Sequence, residues 1–437
     1  MKRTVISKLR ELDGTEVLVK GFVTNTRVLR RMVFLIVQDR SGSVQVAVER
    51  SEPPTDLEQT AVEMTPGSAV EVRGTFRLNP HVKAGGMEIS AAEITVVGRA
   101  EAGLPVEEAS SLELQTDWRF LSLRRPRNYL LFEVQTTVEK AMRDFWTERG
   151  FVEIHSPKLM HSASESGSET FSMDYFELGK AYLAQSPQFY KQMAMAAGLE
   201  RVFEIGPVFR AEPSMTSKHA TEFTSVDVEM SWIDSHEDVM AFEEEWLQAV
   251  LREVHARHGE AIAEHFGVEV RVPSVPFPRI TMEEAHAFLA RAGHSISPAT
   301  KPGDLDPEGE RLIARHMLEE RGSEFFFVTE YPSGLRPFYH MRDPERPQVT
   351  RSFDLLWKGV EITTGAQREH RYEELARQAQ EAGLRESVEY YLDFFRYGCP
   401  PHGGLGFGLG RMLMLMLGLP SIREAVFLHR SPNRLTP

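Results

Sequence analysis

Phe209-Arg210-Ala211-Glu212, then a polar loop, then Glu222-Phe223-Thr224-Ser225-Val226-Asp227-Val228-Glu229-Met230, reads as strand, loop, strand. In the second strand Val226, Val228, Met230 and Trp232 alternate with Ser225, Asp227, Glu229 and Ser231. One face is therefore apolar and the other strongly acidic. Carboxylates on a strand inside a large domain are costly unless they meet cations or water. The acidic face is either the floor of a pocket or an exposed face of the sheet, and the pattern leaves both open.

Outward from this pair the chain is mixed. Leu131, Val134, Val138, Ala141, Met142 and Phe145 share one helical face, in a helix that stops at Gly150, and Val239, Phe242, Trp246, Val250 and Val254 mark a second helix. Residues 257–335 show weaker strand signals and read as an insertion within a C-terminal α+β body spanning 127–437. Residues 1–105 differ: Val17–Val23, Met32–Val37, Ser43–Val48, Ala69–Gly74 and a run from Glu88 are short strands, with one helical stretch near Asp56–Glu63. Five short strands and one helix fit a small OB-type barrel. Between the two bodies, 106–126 has no clear periodicity and reads as a hinge.

Three further clusters carry chemistry. In Gln185-Ser186-Pro187-Gln188-Phe189-Tyr190-Lys191-Gln192, Ser186 is a good N-cap and Pro187 a good first helical residue, which sets Gln188, Lys191 and Gln192 on one face. Two amides and an ammonium can grip a small carboxylate; a solvated helix face is the plainer reading. In Phe353-Asp354-Leu355-Leu356-Trp357-Lys358-Gly359-Val360-Glu361, Lys358-Gly359 can turn a two-residue hairpin that pairs Leu356 with Glu361. Asp354 then sits diagonal to Glu361, and with Thr364 nearby the acids can hold a hard cation that also touches phosphates; two independent surface acids is the alternative. In His402-Gly403-Gly404-Leu405-Gly406-Phe407-Gly408-Leu409-Gly410-Arg411, alternate glycines allow close backbone approach, and Arg411 opens an apolar helix. Neither a P-loop nor a Rossmann fingerprint matches this order.

Composition narrows the class. The 437 residues, about two or three domains' worth, are 41% hydrophobic and 26% charged, as in ordinary folded proteins. A net charge of −14 argues against non-specific coating of nucleic acid but leaves room for a local basic patch. The single cysteine, Cys399, excludes an intrachain disulfide and a multi-thiolate zinc site. His255, His258 and His265 lack metal-ligand spacing. No apolar run approaches the ~18 residues of a membrane span, so no membrane partner and a cytoplasmic location are expected.

Taken together, these residues resemble class II aminoacyl-tRNA synthetases. Gly150-Phe151-Val152-Glu153-Ile154-His155-Ser156-Pro157 is similar to the first class motif, which implies a homodimer. Phe209–Glu212 with Glu222-Phe223 is similar to the second motif, and Gly404–Arg411 to the third. With the OB-type domain this resembles the aspartyl, asparaginyl and lysyl subgroup, and in length the compact archaeal-type aspartyl enzymes. The fold implied is an OB-type anticodon-binding barrel followed by an antiparallel-sheet catalytic domain with flanking helices.

The resemblance also implies roles. Arg210 would bind the α-phosphate of ATP and stabilise the transition state of adenylate formation. Ala211, Glu212, Lys218, His219 and Ala220 would line the nucleotide; Glu212 would read the adenine amino group and Phe223 stack on the ring. Glu361, Gly408, Leu409, Gly410 and Arg411 would complete the ATP site, Arg411 at the γ-phosphate. Asp354, Glu361 and Thr364 would place Mg2+. L-aspartate would meet Glu169, Gln188, Phe189, Tyr190, Lys191, Arg210, Thr364 and Arg368, with Glu169, in Glu165–Phe171, matching a mobile loop acid that meets the ammonium. Lys191 and Arg368 suit a β-carboxylate, whereas a carboxamide would leave both cations unpaired. Arg27, Phe34, Gln45 and Lys83 match anticodon-reading positions, with Phe34 as a stacking platform or else a barrel core residue.

Two departures stand out. Gly410 replaces the acid that usually precedes the third-motif arginine, and the strand near Thr24 lacks a second tryptophan associated with rejecting tRNA(Asn). Lys83 does match the strict type. The residues therefore imply an aspartate–tRNA ligase for tRNA(Asp), with charging of tRNA(Asn) as a live extension. An asparagine–tRNA ligase and a non-catalytic synthetase paralogue are the alternatives.

Overall fold

Alternation of valine with polar residues closes the N-terminal strands on themselves. In the computed structural model, which describes residues 1–83, 85–161, 169–213 and 216–437, β1 (Glu16–Val28), β2 (Met32–Asp39), β3 (Gly42–Glu49), β4 (Ala69–Leu78) and β5 (Met87–Gly98) form a closed barrel in the order β1-β2-β3-β5-β4. Val17, Val19, Val33, Leu35, Val37, Val44, Val46, Val72 and Ile89 fill it. Helix α1 (Asp56–Val62) starts at Thr55, whose hydroxyl accepts the Glu58 N–H. Phe34 alternates with the buried Val33 and Leu35 and lies outside the core, which decides against its core reading.

The stretch 106–126, read as a hinge without clear periodicity, holds two short helices, α2 (Leu112–Asp117) and α3 (Arg119–Ser122). Ser111 caps the first through the Leu114 N–H. Helices this short present too few turns for a periodicity to register. The chain divides into two compact units, Met1–Tyr129 and Leu130–Thr436.

The second unit begins in α4 (Pro126–Thr147), which buries Leu131, Val134, Val138, Met142 and Trp146. Strand β6 (Val152–Glu153) follows. A small three-stranded sheet comprises β7 (Leu159–Met160), β8 (Ser172–Asp174) and β9 (Lys180–Leu183), and then comes α5 (Gln188–Ala196). The main sheet takes β10 (Arg201–Phe209), β11 (Glu222–Ser231), β12 (Arg279–Thr281), β13 (Phe325–Thr329), β14 (Ser352–Trp357), β15 (Val360–Gln367) and β16 (His402–Gly408) in the order β12-β13-β14-β15-β16-β11-β10-β6. It is antiparallel except at its two ends, where β6 and β12 pair parallel to their neighbours. The long helix α6 (His236–Phe266) covers one face, with a capping box at Ser235 and Asp238 and a left-handed Gly267 ending it. Trp246 lies between Trp146 and Phe407, 5.6 Å from each ring. Truncating it to alanine would cost about 3–5 kcal/mol.

Residues 257–335 are not a separate insertion. The boundary falls inside α6, and the stretch supplies β12 and β13 to the main sheet, with α7 (Met282–Arg291) and α8 (Pro307–Arg321) packed on them. β12 has three residues and β13 is buried throughout, so neither alternates as a half-buried strand does. Helices α9 (Tyr372–Glu381), α10 (Glu389–Arg396), α11 (Leu409–Met416) and α12 (Ile422–Ala425) complete the unit.

Glu243 on α6 is fully buried. Burial pushes its carboxyl up to about 8, and Glu244 and Asp354 add to the push. The unfolded chain releases this proton near 4.5 and the folded chain only near 8, so stability falls as pH rises across that window and levels off above it. Glu243→Gln is expected to raise stability at pH 8.5 by up to roughly 5 kcal/mol and by much less at pH 5. Urea midpoints at the two pH values check this; equal gains at both would mean the carboxyl is not held as an acid.

Candidate active site

Strand β11 carries the site. Its apolar residues Val226 and Val228 face the α6 core, and Ser225, Asp227 and Glu229 face the other way. That acidic face is buried, with Asp227 3% and Glu229 0% exposed, so it is a floor and not an open sheet face. The cations come from two other elements. Lys191 on α5 is fully buried, its Nζ 2.9 Å from Asp227 Oδ1 and 3.4 Å from Glu229 Oε2. It also donates to the Leu405 carbonyl at 3.1 Å. Arg368, just after β15, donates Nε to Glu229 Oε1 at 2.9 Å and Nη2 to Oε2 at 3.4 Å. Burial alone would raise the Glu229 carboxyl, but Arg368 and Lys191 outweigh it and hold it below the ordinary value.

The glycines of β16 make this possible. Gly404 and Gly406 pair with Glu229 and Asp227 across the ladder. A Cβ on Gly404 would lie 2.0 Å from the Val228 carbonyl and 2.4 Å from Glu229 Oε2. The alternate glycines therefore make room for the protein's own buried acids as well as for a ligand.

Above the floor is a cavity of about 290 Å³. Gln185, Gln188, Asp227, His340, Thr364 and Arg368 line it together with Arg210, Glu212, Lys218, His219, Phe223, Glu361, Gly408, Gly410 and Arg411. The Arg210 guanidinium lies 5.4 Å from the Phe223 ring centroid. Arg411 Nη1 donates to the Glu361 carbonyl at 2.7 Å, which fixes it at the mouth of α11. Burial lowers the pKa of both Lys218 and His219, with Arg411 also lowering both.

The hairpin between β14 and β15 has the expected register, Leu356 opposite Glu361, with Lys358 and Gly359 both at positive φ. A bulge at Ile362 then sets Asp354 opposite Thr364. Asp354 is paired with Arg336 Nη2 at 2.8 Å, and that guanidinium stacks 3.6 Å from the Tyr331 ring centroid. Thr364 donates to Glu361 Oε1 at 3.4 Å. Burial and then Asp354 raise the Glu361 carboxyl. Glu310, on α8, is pushed up to about 7 by burial and by Glu361. Among the described residues no three His, Cys, Asp or Glu side chains form a ready metal cage.

Several expected site residues sit elsewhere. Phe189 does not border the cavity: its ring is fully buried and stacks 4.1 Å from Tyr391 in an aromatic cluster that also takes Tyr190. Helix α5 turns only one face to the floor, and Phe189 and Tyr190 lie off it. Leu409 points into the α6 core. Lys191 lies beneath the floor, reaching the cavity through Asp227. Glu169 exposes its side chain and contributes its carbonyl, which accepts from Ala211 N–H and from Gln185 Nε2; Glu165, Ser166, Gly167 and Ser168 lie outside the described residues. Asp354 is held by Arg336 instead of standing open beside Glu361. At Gly410 a Cβ would already lie 3.2 Å from Ile422 and Val426, so the usual acid would have to press these side chains aside. The motifs assigned no role to Glu229, Asp227, Gln185, Arg336 or His340. The acidic alternation of β11 was the available signal for the first two; the others lie in segments without periodicity.

In the first unit Arg27 and Phe34 are cross-strand partners on the outer face of β1 and β2. Gln45 on β3 lies opposite Ile36 and donates to Glu88 at 2.5 Å. Lys83 is exposed in the β4–β5 connection.

This sheet, floor and motif order define a class of enzyme. Residues 111–431 match the family described as tRNA synthetases class II (D, K and N), and residues 17–97 match the OB-fold nucleic acid binding domain. The chain belongs to the class II tRNA synthetases of that group, and is an aminoacyl-tRNA ligase. It is 43% identical to the aspartate–tRNA(Asp/Asn) ligase of Aeropyrum pernix over 99% of this chain and 98% of that one. It is 41% identical to the aspartate–tRNA(Asp) ligase of Thermococcus kodakarensis over 98% and 97%. Among solved structures, the asparaginyl-tRNA synthetase of Pyrococcus horikoshii with asparaginyl-adenylate superposes with a TM-score of 0.91 at 30% identity, each chain covered in full. The aspartyl enzyme of Entamoeba histolytica gives 0.87 at 31%, covering 100% of this chain and 93% of that one.

Glu229→Gln removes the carboxylate that two buried cations share. It is expected to lower the unfolding free energy by about 3–5 kcal/mol. A chemical-denaturation midpoint unchanged from the parent would show that the cations do not depend on it.

Proposed function

We propose that this protein activates L-aspartate with ATP and transfers it to the 3′ end of tRNA(Asp), and of tRNA(Asn) as well. The observation that carries the amino-acid choice is the Arg368 guanidinium at the floor. Lys191 is matched by Asp227 and Glu229, whereas Arg368 is engaged by Glu229 and His340 only in part and borders the cavity, where an incoming side-chain carboxylate can meet it. Asp227 and the Gln185 Oε1, a buried acceptor without a hydrogen-bond partner among the described residues, suit the substrate ammonium. Of the five N–H groups of Arg368, three are engaged by Glu229 and His340, leaving one on each terminal nitrogen for a carboxylate fork. A carboxamide would leave these donors facing a neutral group.

In the first step the aspartate α-carboxylate attacks the α-phosphorus of ATP, forming the mixed anhydride and breaking the bond to pyrophosphate. Arg210 stabilises charge on the α-phosphate oxygens as it develops, and Arg411 holds the γ end. Phe223 stacks on the adenine and Glu212 accepts from its amino group. In the second step a hydroxyl of the terminal adenosine attacks the anhydride carbonyl and AMP leaves. Mg2+ fits Glu361 and Thr364: a carboxylate raised by burial and by a neighbouring acid, beside a hydroxyl, is a hard-oxygen pair that gains from added positive charge. Bound there, it would neutralise the phosphates.

Arg27, Phe34, Gln45 and Lys83 would read the anticodon from the outer face of the barrel, with Phe34 as the stacking platform. The tRNA range follows from the same residues: Lys83 favours tRNA(Asp), and the missing tryptophan near Thr24 relaxes that choice. A homodimer is the expected assembly in a cytoplasmic setting. Phe176 and Leu178 at the end of the three-stranded sheet are 90% and 78% exposed, with Leu159 and Met173 of the same sheet also open. No helix among the described residues is long and apolar enough to cross a membrane.

ATP–pyrophosphate exchange is expected with aspartate and not with asparagine; exchange only with asparagine, or none, would reject the reading. Charging of purified tRNA(Asp) and tRNA(Asn) side by side tests the range. Lys191→Gln should lower kcat/KM for aspartate by at least about a hundredfold while leaving ATP binding nearly intact. The mass in solution should be twice the chain mass, and Phe176→Asp with Leu178→Asp should shift it toward the monomer.

A further inference from the structure

Gln188 and Gln192 lie one helical turn apart on α5. Gln188 lines the cavity. Gln192 shares its helix face but has no exposure, and neither has Tyr391 on α10 nor His402 at the start of β16. These three buried side chains bond to one another, and the chain of bonds ends at Gln188.

The polarity of that chain is fixed from a backbone carbonyl outward. His402 Nδ1 lies 2.8 Å from the Pro400 carbonyl, which can only accept, so Nδ1 carries the ring proton. Burial lowers the His402 pKa to about 4, so the ring is neutral near pH 7 and Nε2 is an acceptor. Its partner at 3.0 Å is therefore the Gln192 amide nitrogen. The Gln192 carbonyl oxygen is then left to accept from the Tyr391 hydroxyl at 3.0 Å and from Gln188 Nε2 at 3.1 Å. Gln188 Nε2 also points to Glu229 Oε2 at 3.4 Å. Both hydrogens of the Gln188 amide are thus engaged within the protein. Its Oε1, to which none of the described residues donates, is the atom left for the cavity. Turned over, the Gln188 carbonyl would face the Gln192 carbonyl and the Glu229 carboxylate, which are acceptors only.

We propose that Gln192 is a positioning residue for the amino acid: anchored by His402 and Tyr391, it keeps the Gln188 carbonyl oxygen turned to the cavity, where that oxygen accepts from the substrate ammonium. The inference rests on the reading of this cavity as the amino-acid site. The ammonium is common to aspartate and asparagine, so the choice between them does not enter. Fixing the amide before the ligand arrives removes an ordering cost from binding. Without Gln192, the Gln188 amide is free to present its NH2 group to the ammonium, donor against donor.

The test is a double-mutant cycle in ATP–pyrophosphate exchange on the full-length enzyme, with Gln188→Met, Gln192→Met and the two combined, and melting temperatures measured alongside. Gln188→Met is expected to raise KM for aspartate about ten- to thirtyfold and Gln192→Met about five- to tenfold, with KM for ATP unchanged in both. The double variant should match Gln188→Met. Succinate, which has both carboxylates of aspartate and no ammonium, should inhibit the parent and Gln192→Met equally. Effects that multiply in the double variant, a rise in both KM values, or weaker inhibition by succinate would overturn the proposal in favour of a scaffold role. No effect of Gln192→Met would overturn it outright. Should Gln192→Met fail to fold, Tyr391→Phe takes its place in the cycle, since it keeps the buried ring and removes one bond to Gln192. A rise of about threefold that vanishes beside Gln188→Met is then expected, and an equal rise in both backgrounds, or none, would overturn the proposal. Absence of exchange with either amino acid in the parent enzyme would instead sink the amino-acid reading of the cavity, and this inference with it.

Discussion

Glu229 is a carboxylate with no exposure, bonded to Arg368 on one side and near Lys191 on the other. It joins the strand after the polar loop, the helix that begins at Gln188, and the end of the central hairpin strand. Ions so placed attract strongly only while each is matched, since a charge left alone in a dry site costs several kcal/mol. The constraint reaches further than the three side chains. It requires glycine at 404, where a Cβ would collide with Glu229, and it orients Lys191 so that its ammonium also meets Asp227. Selectivity toward an acidic substrate then rests on the Arg368 donors left over in a site whose charges the protein has already matched for its own stability.

A second charge cluster obeys the same rule with a different outcome. Asp354 is neutralised by Arg336, which stacks on Tyr331. Among the described residues Glu361 meets the edge of Arg411 and the Thr364 hydroxyl, and its carboxyl is raised. One acid is structural and the other is open to a ligand or cation. Glu310 extends the cluster from α8, so a stretch that reads as an insertion supplies two strands of the sheet and an acid that acts electrostatically on Glu361.

The legible parts of the molecule are those written in short-range periodicity or in motifs with fixed spacing. The barrel strands, α4, α6 and the Lys358-Gly359 hairpin with its Leu356–Glu361 register follow from alternation, helical spacing and a turn that needs positive φ. Arg210, Phe223, Glu361, Arg368 and Arg411 do meet around one cavity. Phe189 and Tyr190 lie in the aromatic cluster and not on the cavity wall, because proximity to Lys191 in the chain is not proximity on the helix surface. β13 escaped notice because a strand buried on both faces does not alternate. α2 and α3 escaped notice because a single turn has no period.

The amino-acid sequence alone determined the local conformations, the division into a barrel and an α+β body, and the residue types available for ATP and an acidic substrate. Those depend on interactions within a few residues, or on motif order along the chain. Only the tertiary structure decided which charges meet. Lys191 and Glu229 are separated by a whole strand pair, Arg368 lies far beyond, and Arg336 and His340 belong to a segment with no motif. Their pairing energies depend on distance and burial, and both are set by how the sheet and helices stack, not by position in the chain.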